Sequence, residues 1–229
     1  MDNNYKRKVG GVMRKYLVVL PILTLALLVI GMVPVKVKSE LVSDDFYFLE
    51  DKISNYGDFV ENGVRLEYST KNSLENEILK LKNNFEKQFK IKVNINQNTI
   101  SINQDFREIK AIVWNNKGDT KVQITYVNND SKDTTNQLKK ELEQIEYFAA
   151  KNIKYFNFVK VKIIEGQKQK ILDLLKSNID EKTLEELNIL NGKVAKGKLM
   201  DGSKINFSFM TYDKENYLVI GTPVIFITY

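Results

Sequence analysis

Eighteen consecutive residues without a charge, Tyr16 to Val33, divide this chain into a short basic tail and a long body. As a helix rising about 1.5 Å per residue, such a run spans roughly 27 Å, close to the hydrocarbon thickness of a bilayer. Lys6, Arg7, Lys8, Arg14 and Lys15 precede it, and only Lys36 and Lys38 immediately follow. Basic residues stay on the cytoplasmic side, so the sequence predicts a single-pass cell-membrane anchor that leaves everything from Ser39 onward outside the cytoplasm. The exit from Gly31 to Lys38 has no small-x-small cleavage triplet; a secreted protein released by signal cleavage is the alternative. The expected divisions are a basic tail (1–15), an anchor or signal (16–34), a linker (35–42) and two repeats (43–131 and 132–229).

The first 38 residues carry a net +6, which is the whole excess of the chain, so the body is neutral. Its length of about 190 residues is enough for a core that needs no metal or disulfide staple. Histidine and cysteine are both absent. That excludes Ser-His-Asp and Cys-His nucleophiles and the usual zinc sites. What remains for catalysis is carboxylates and Ser-Lys pairs. Glu141, Glu143 and Glu146, and again Glu181, Glu185 and Glu186, are read as the solvated faces of two helices. Ser131-Lys132 and Ser203-Lys204 fall in turns. The acidic stretch 128–133 lacks the glycine and glutamate of a calcium loop and is read as helix capping. No catalytic residue, cofactor or metal ligand is assigned.

Periodicity then lays out the body. Phe46, Leu49, Ile53 and Tyr56 share one helical face that ends at Gly57 or Gly63; 64–68 alternates as a short strand. Asn72-Ser73-Leu74-Glu75 is read as a capping box for a helix bearing Leu74, Ile78, Leu81, Phe85 and Phe89. From Ile91 the period becomes two, through Val93, Ile95, Ile100 and Ile102, and on to 107–114 and 120–127 around the turn 115–118. The order returns: Thr134 and Gln137 cap a helix with Leu138, Leu142, Ile145 and Ala149; 156–164 is a strand; 167–190 gives one or two helices with Ile171, Leu174, Leu175, Leu184 and Leu187 inside. Strands over 193–199, 204–212 and 217–229 close the chain. Helix, strand, helix, three strands therefore occurs twice.

Most strands alternate apolar with polar, the pattern of an antiparallel sheet packed on one face. The other face is expected to be open and lined by Lys92, Asn94, Asn96, Lys121, Gln123, Thr125, Asn206 and Ser208. The near-continuous apolar run 218–227 is read as a central strand joining the halves, with Pro223 in tension with that place.

A duplicated α/β unit behind an export segment, closing on Tyr217-Leu218-Val219-Ile220-Gly221-Thr222-Pro223-Val224-Ile225-Phe226-Ile227-Thr228-Tyr229, resembles the YwmB-like family of Gram-positive spore-forming bacteria. The resemblance implies an α+β fold: an N-terminal transmembrane helix followed by two tandem repeats whose antiparallel sheets, with helices on one face, are similar to the TATA-box-binding protein. It implies no catalytic residues and a family of unknown function. The DNA-binding reading that the fold invites meets two obstacles. A neutral body with Arg65 and Arg107 as its only arginines is poorly equipped to neutralise phosphates, and it would lie outside the cytoplasm.

Charge is segregated within the neutral total: 40–67 carries −6 and 151–170 carries +5. The basic segment interleaves lysines with Tyr155, Phe156 and Phe158, suiting an anionic polymer, lipid headgroups or an acidic partner; a strand with apolar residues inward and lysines solvated is the plainer account. The candidate partner-binding residues are Lys151, Lys154, Lys160, Lys162, Lys92, Lys121 and Gln123. The function expected is a membrane-anchored, non-catalytic binding module for a protein or an anionic cell-envelope polymer, with no small-molecule ligand. A nucleic-acid binder and a carboxylate-dependent cell-wall enzyme are the alternatives, the second requiring two acids in one cleft about 5–10 Å apart.

Overall fold

The computed structural model describes residues 44–145 and 149–227. The tail, the apolar run and the linker lie outside these residues, as does Glu146. Among the described residues no helix is long and apolar enough to cross a membrane.

The first half contains α1 (Asp44–Ile53), β1 (Gly57–Thr70), α2 (Leu74–Phe89), β2 (Asn94–Asn96), β3 (Thr99–Gln104), β4 (Arg107–Asn116) and β5 (Asp119–Asn128). The second contains α3 (Thr135–Ile145), β6 (Lys151–Ile163), α4 (Lys168–Asn178), a 3-10 turn (Glu181–Thr183), β7 (Glu185–Ile189), β8 (Gly192–Lys198), β9 (Lys204–Tyr212) and β10 (Glu215–Thr222). Helix, strand, helix is thus followed by four strands in each half, one more than expected. The added strand in the second half is β7, from a stretch read as helix. Its Glu-Glu-Leu-Asn-Ile sequence suits a helix, but Ile179, buried and extended, bridges to Leu199, and Asp180 caps the 3-10 turn. The chain leaves that turn extended against β8, so Glu185 and Glu186 lie on a strand and Leu187 is 63% exposed.

All ten strands form one antiparallel sheet in the order β2-β3-β4-β5-β1-β6-β10-β9-β8-β7. The halves meet where β1 runs against β6, from Gly57 opposite Ile163 to Ser69 opposite Lys151, with bulges after Phe59 and after Glu67. The seam is therefore not the 218–227 run. β10 lies one strand away from it, beside β6, and stops at Thr222, where the next residue is a proline with no N–H for a ladder. Its apolar character reflects cover on both faces. β1 is also far longer than 64–68: its polar start is held by Glu61, whose carboxylate lies 3.4 Å from the Lys160 Nζ, and by the hydrogen bonds of Asn62.

Side chains alternate across a strand, so register separates the two faces. One face carries Val64, Leu66 and Tyr68, Ile109, Ala111 and Val113, Val122, Ile124 and Tyr126, Val159 and Val161, and Phe207 and Phe209. These pack with Phe46, Leu49 and Ile53 of α1, Leu81 and Phe85 of α2, Leu138 and Leu142 of α3, and Ile171 and Leu175 of α4 in one continuous core. Local chemistry sets the ends. Ser73 caps α2 by accepting from the Asn76 N–H at 3.3 Å, while Asn72 reaches Glu77 instead of forming the expected box with Glu75. Thr134 and Gln137 do close a capping box on α3, at 2.6 Å from the Thr134 N–H to Gln137 Oε1. Lys117 and Gly118, both at positive φ, make the β4–β5 hairpin turn.

One core across one seam predicts one unfolding transition. The sole tryptophan, Trp114 on β4, and amide exchange on β9 should report the same urea midpoint. Leu66→Ala, at the seam, should shift both midpoints down together, for a loss of about 2–5 kcal/mol in unfolding free energy; separate midpoints would show that the halves fold independently.

Candidate binding face

The face away from the helices is best followed as rows of register partners crossing the sheet. One row reads Thr99, Ile112, Gln123, Glu67, Lys154; the next reads Ser101, Lys110, Thr125, Arg65, Phe156. The central row is Asn103, Glu108, Val127, Gly63, Phe158, Gly221, Asn206, Lys196, and beside it run Glu61, Lys160, Val219, Ser208, Val194, Leu187. In the first half this face is bare: Trp114 is 39% exposed opposite Lys121, Lys110 is exposed, and Gln123, Thr125 and Val127 are half-buried.

At the centre the face is covered by the chain itself. Past the cis Thr222–Pro223 bond, residues 223–227 cross the end of β10 and the middle of β6 and β1 on the open side. Asn206 Nδ2 donates to the Pro223 carbonyl at 2.5 Å, and Arg65 Nη2 to the Phe226 carbonyl at 3.0 Å. The Arg65 guanidinium stacks 4.5 Å from the centre of the Phe226 ring, which meets Phe158 edge-on at 5.1 Å. Two glycines make the room. Phe158 has Gly63 as its partner on β1 and Gly221 as its partner on β10. A Cβ on Gly63 would lie 2.5 Å from the Phe158 ring, and one on Gly221 2.9 Å from Ile225. Phe158, Val219 and Ser208 are consequently buried although they face away from the core. Among the described residues, Arg65 Nε and Ser208 Oγ there have no hydrogen-bond partner, and burial lowers the pKa of Arg65.

The candidate residues divide. Lys121, Gln123, Lys154, Lys160 and Lys162 share the open face, but Lys160 is paired with Glu61 and Lys162 with Glu215 at 3.1 Å, a bond that raises the Lys162 pKa. Lys151 is exposed at the end of β6 near Asp119. Lys92 is not on the sheet: it precedes β2, near the Glu86 carboxylate that holds the Val93 N–H. Asn94, Asn96, Thr125 and Asn206 take the expected face, whereas Ser208 lies buried within it. Arg65, Gly63, Phe158, Gly221 and Phe226 stand out in the sequence for other reasons and not as candidate binding residues. The signal for them was the apolar run broken at Gly221 and Pro223.

A second feature lies on the helix side. A cavity of about 400 Å³ is lined by Tyr47, Glu50, Asp51, Phe59, Asn62 and Asp133, among others. Glu50 is buried there because it closes the start of α3: Oε1 accepts from the Thr135 N–H at 2.9 Å and from Asn62 Nδ2 at 3.3 Å, and Oε2 meets Thr135 Oγ1 at 2.5 Å. Burial raises its pKa, against these hydrogen bonds. Burial likewise pushes the Tyr47 hydroxyl up to about 12; it faces the fully buried Asn157 amide, and neither makes a hydrogen bond of ordinary geometry. Asp133 is engaged by Arg107 Nη2 at 2.7 Å. Among the described residues no group of three or more acids is arranged to hold a metal ion. Of the α3 acids, Glu141 accepts from the Tyr126 hydroxyl at 3.0 Å, and Glu143 lies 3.7 Å from Lys139.

No family model and no curated protein matches this chain. Among solved structures, DynU16, a protein in the dynemicin biosynthetic locus, is similar at 7% identity over 71% of this chain and 86% of that one, with a TM-score of 0.24. A likeness that slight carries no argument about fold or function.

Glu50 gives this region a pH signature. Its folded pKa is raised, so the folded state holds a proton that the unfolded chain releases near the ordinary value of 4.5. The stability this contributes is complete below that value and is lost as pH rises through the folded pKa. Glu50→Gln mimics the protonated carboxyl. Urea midpoints should show the variant level with the parent at pH 4 and increasingly more stable towards pH 8; a constant difference would remove Glu50 as the cause.

Proposed function

We propose that this protein is a membrane-anchored binding module whose body stands outside the cytoplasm and recognises a protein or an anionic cell-envelope polymer, without chemistry of its own. The observation that carries the reading is the bare half of the open face, where Trp114, Lys110, Lys121, Gln123 and Thr125 offer an aromatic, two cations and several hydrogen-bonding groups on rigid paired strands. The apolar run and its flanking charges support the anchor. The ten antiparallel strands, with the four helices of the described residues on one side, support a TATA-box-binding-protein-like arrangement. A shared fold does not transfer DNA binding. Lys160, Lys162 and Lys196 already hold acids, which leaves few cations for phosphates.

One observation favours a second reading, a carboxylate-dependent cell-wall enzyme: Glu50, with its raised pKa, and the Arg107-paired Asp133 line the same cavity. Release of soluble sugar from purified cell wall, lost in Glu50→Gln, would favour that reading; no release by the parent would end it.

For the binding reading, a photo-crosslinking residue in place of Gln123 should capture one partner species on intact cells. Adding Trp114→Ala and Lys121→Glu should lower capture about tenfold or more with no change in thermal midpoint. Protease added to those cells should digest the body; a protected body, with known surface proteins cut, would overturn the placement.

A further inference from the structure

We propose that the strip of the open face beneath residues 223–227 is a binding site for an extended acidic peptide segment of a partner, with the chain's own segment as its resident occupant. The inference rests on the open face being a binding surface.

The site is built for an extended backbone. Phe158 has glycine on both sides, Gly63 and Gly221, so the sheet carries a trough at the one row where neighbouring side chains would otherwise stand up. Into it the occupant presents main-chain carbonyls, and these are what the face reads: Pro223 through Asn206 and Phe226 through Arg65. One aromatic side chain, Phe226, fills the space over Phe158. A backbone read at two carbonyls and one apolar contact describes a peptide segment better than a sugar polymer, which has no such spacing of acceptors.

The occupant is also incomplete. Arg65 bonds to one neutral carbonyl; among the described residues its buried Nε has no partner, and Glu67, two residues along the same face, attracts it without coming within ion-pair distance. A guanidinium takes a carboxylate side-on through two parallel N–H bonds, which are stronger than a bond to a carbonyl. Ser208 Oγ, three strands from Arg65, has no partner among the described residues either. Lys110 stands on the same face in Arg65's own row, and Lys154 in the next row opposite Glu67. A segment with a carboxylate where the resident one has only a carbonyl would satisfy Arg65 and displace residues 223–227.

The probe is a fluorescein-labelled peptide, Val-Glu-Phe-Glu-Ile, titrated against the full chain in detergent and followed by anisotropy. Its Gln-for-Glu analogue should bind about tenfold more weakly or worse. Arg65→Met should abolish that preference, Arg65→Lys should retain part of it, and Phe226→Gly should tighten binding several-fold by weakening the resident segment. No saturable binding by parent or Phe226→Gly, equal affinity for the Gln analogue, or equal competition by polygalacturonate would each overturn the proposal. If Arg65→Met does not fold, Arg65→Lys decides. Failure here with capture through Gln123 intact would sink this site and leave the wider binding reading standing.

Discussion

The pairing of β1 with β6 is the constraint on which the rest depends. A sheet covered on one side by helices needs enough width to share one core, and neither half has it alone: five strands and two helices would leave β1 or β6 as an exposed edge. Joined along 14- and 13-residue strands, the two edges satisfy each other's backbone groups. The bulges near both ends of the ladder let the long pair keep twisting without losing its ion pairs and core contacts. The four helices then need to present only one apolar face each, which is what their sequences provide.

The seam places its polar groups with equal economy. Asn62 lies opposite Val159 and Asn157 opposite Val64, positions that exchange when the strands are swapped about the Gly63–Phe158 pair. Asn62 is fully used: it accepts from Asn128, and donates to Glu50 and to the Asp133 carbonyl. That network ties α1, the seam and the start of α3 together, and a buried carboxyl is tolerable there because three donors face it. Asn157 has no such set, and the strand partner corresponding to Asn128 is Thr222, whose hydroxyl bonds to the Lys204 carbonyl instead.

Much of this was legible in the sequence where one signal dominated. The i, i+3, i+4 faces of α1 to α4, the Thr134–Gln137 box and the Lys117-Gly118 turn are local, and local chemistry decided them. The long strands were hidden because Gly57, Asp58, Glu61 and Asn62 resemble a turn until β6 supplies Lys160 and Lys162 opposite them. β7 was misread because a Glu- and Leu-rich stretch favours helix, and only the anchoring of Ile179 on Leu199 forces it straight. The candidate face was half visible: alternation identified Lys121, Gln123, Thr125 and Asn206. Nothing local could show that Lys160 and Lys162 would be neutralised across strands, or that Arg65 would meet a segment 161 residues away.

The one asymmetry that matters arises from a single connection. β5 and β10 hold equivalent places, each next to its half's long strand. After Asn128 the chain turns to the helix side and begins α3; after Thr222 it turns to the opposite side and crosses the sheet. At the centre of the seam there is room for only one large side chain on the open face, and the pair is glycine and phenylalanine, so the surface is lopsided before the crossing segment arrives. Ordering five residues over it costs about 1–2 kcal/mol each. Burying one phenylalanine returns about 1.5–3 kcal/mol, and two hydrogen bonds about 1 kcal/mol each, with the Arg65 stacking and part of Ile225 added. The two sums are of the same size, so the segment holds its place by a small margin. On the proposal made above, a covering held that loosely is one that a better-matched chain would replace.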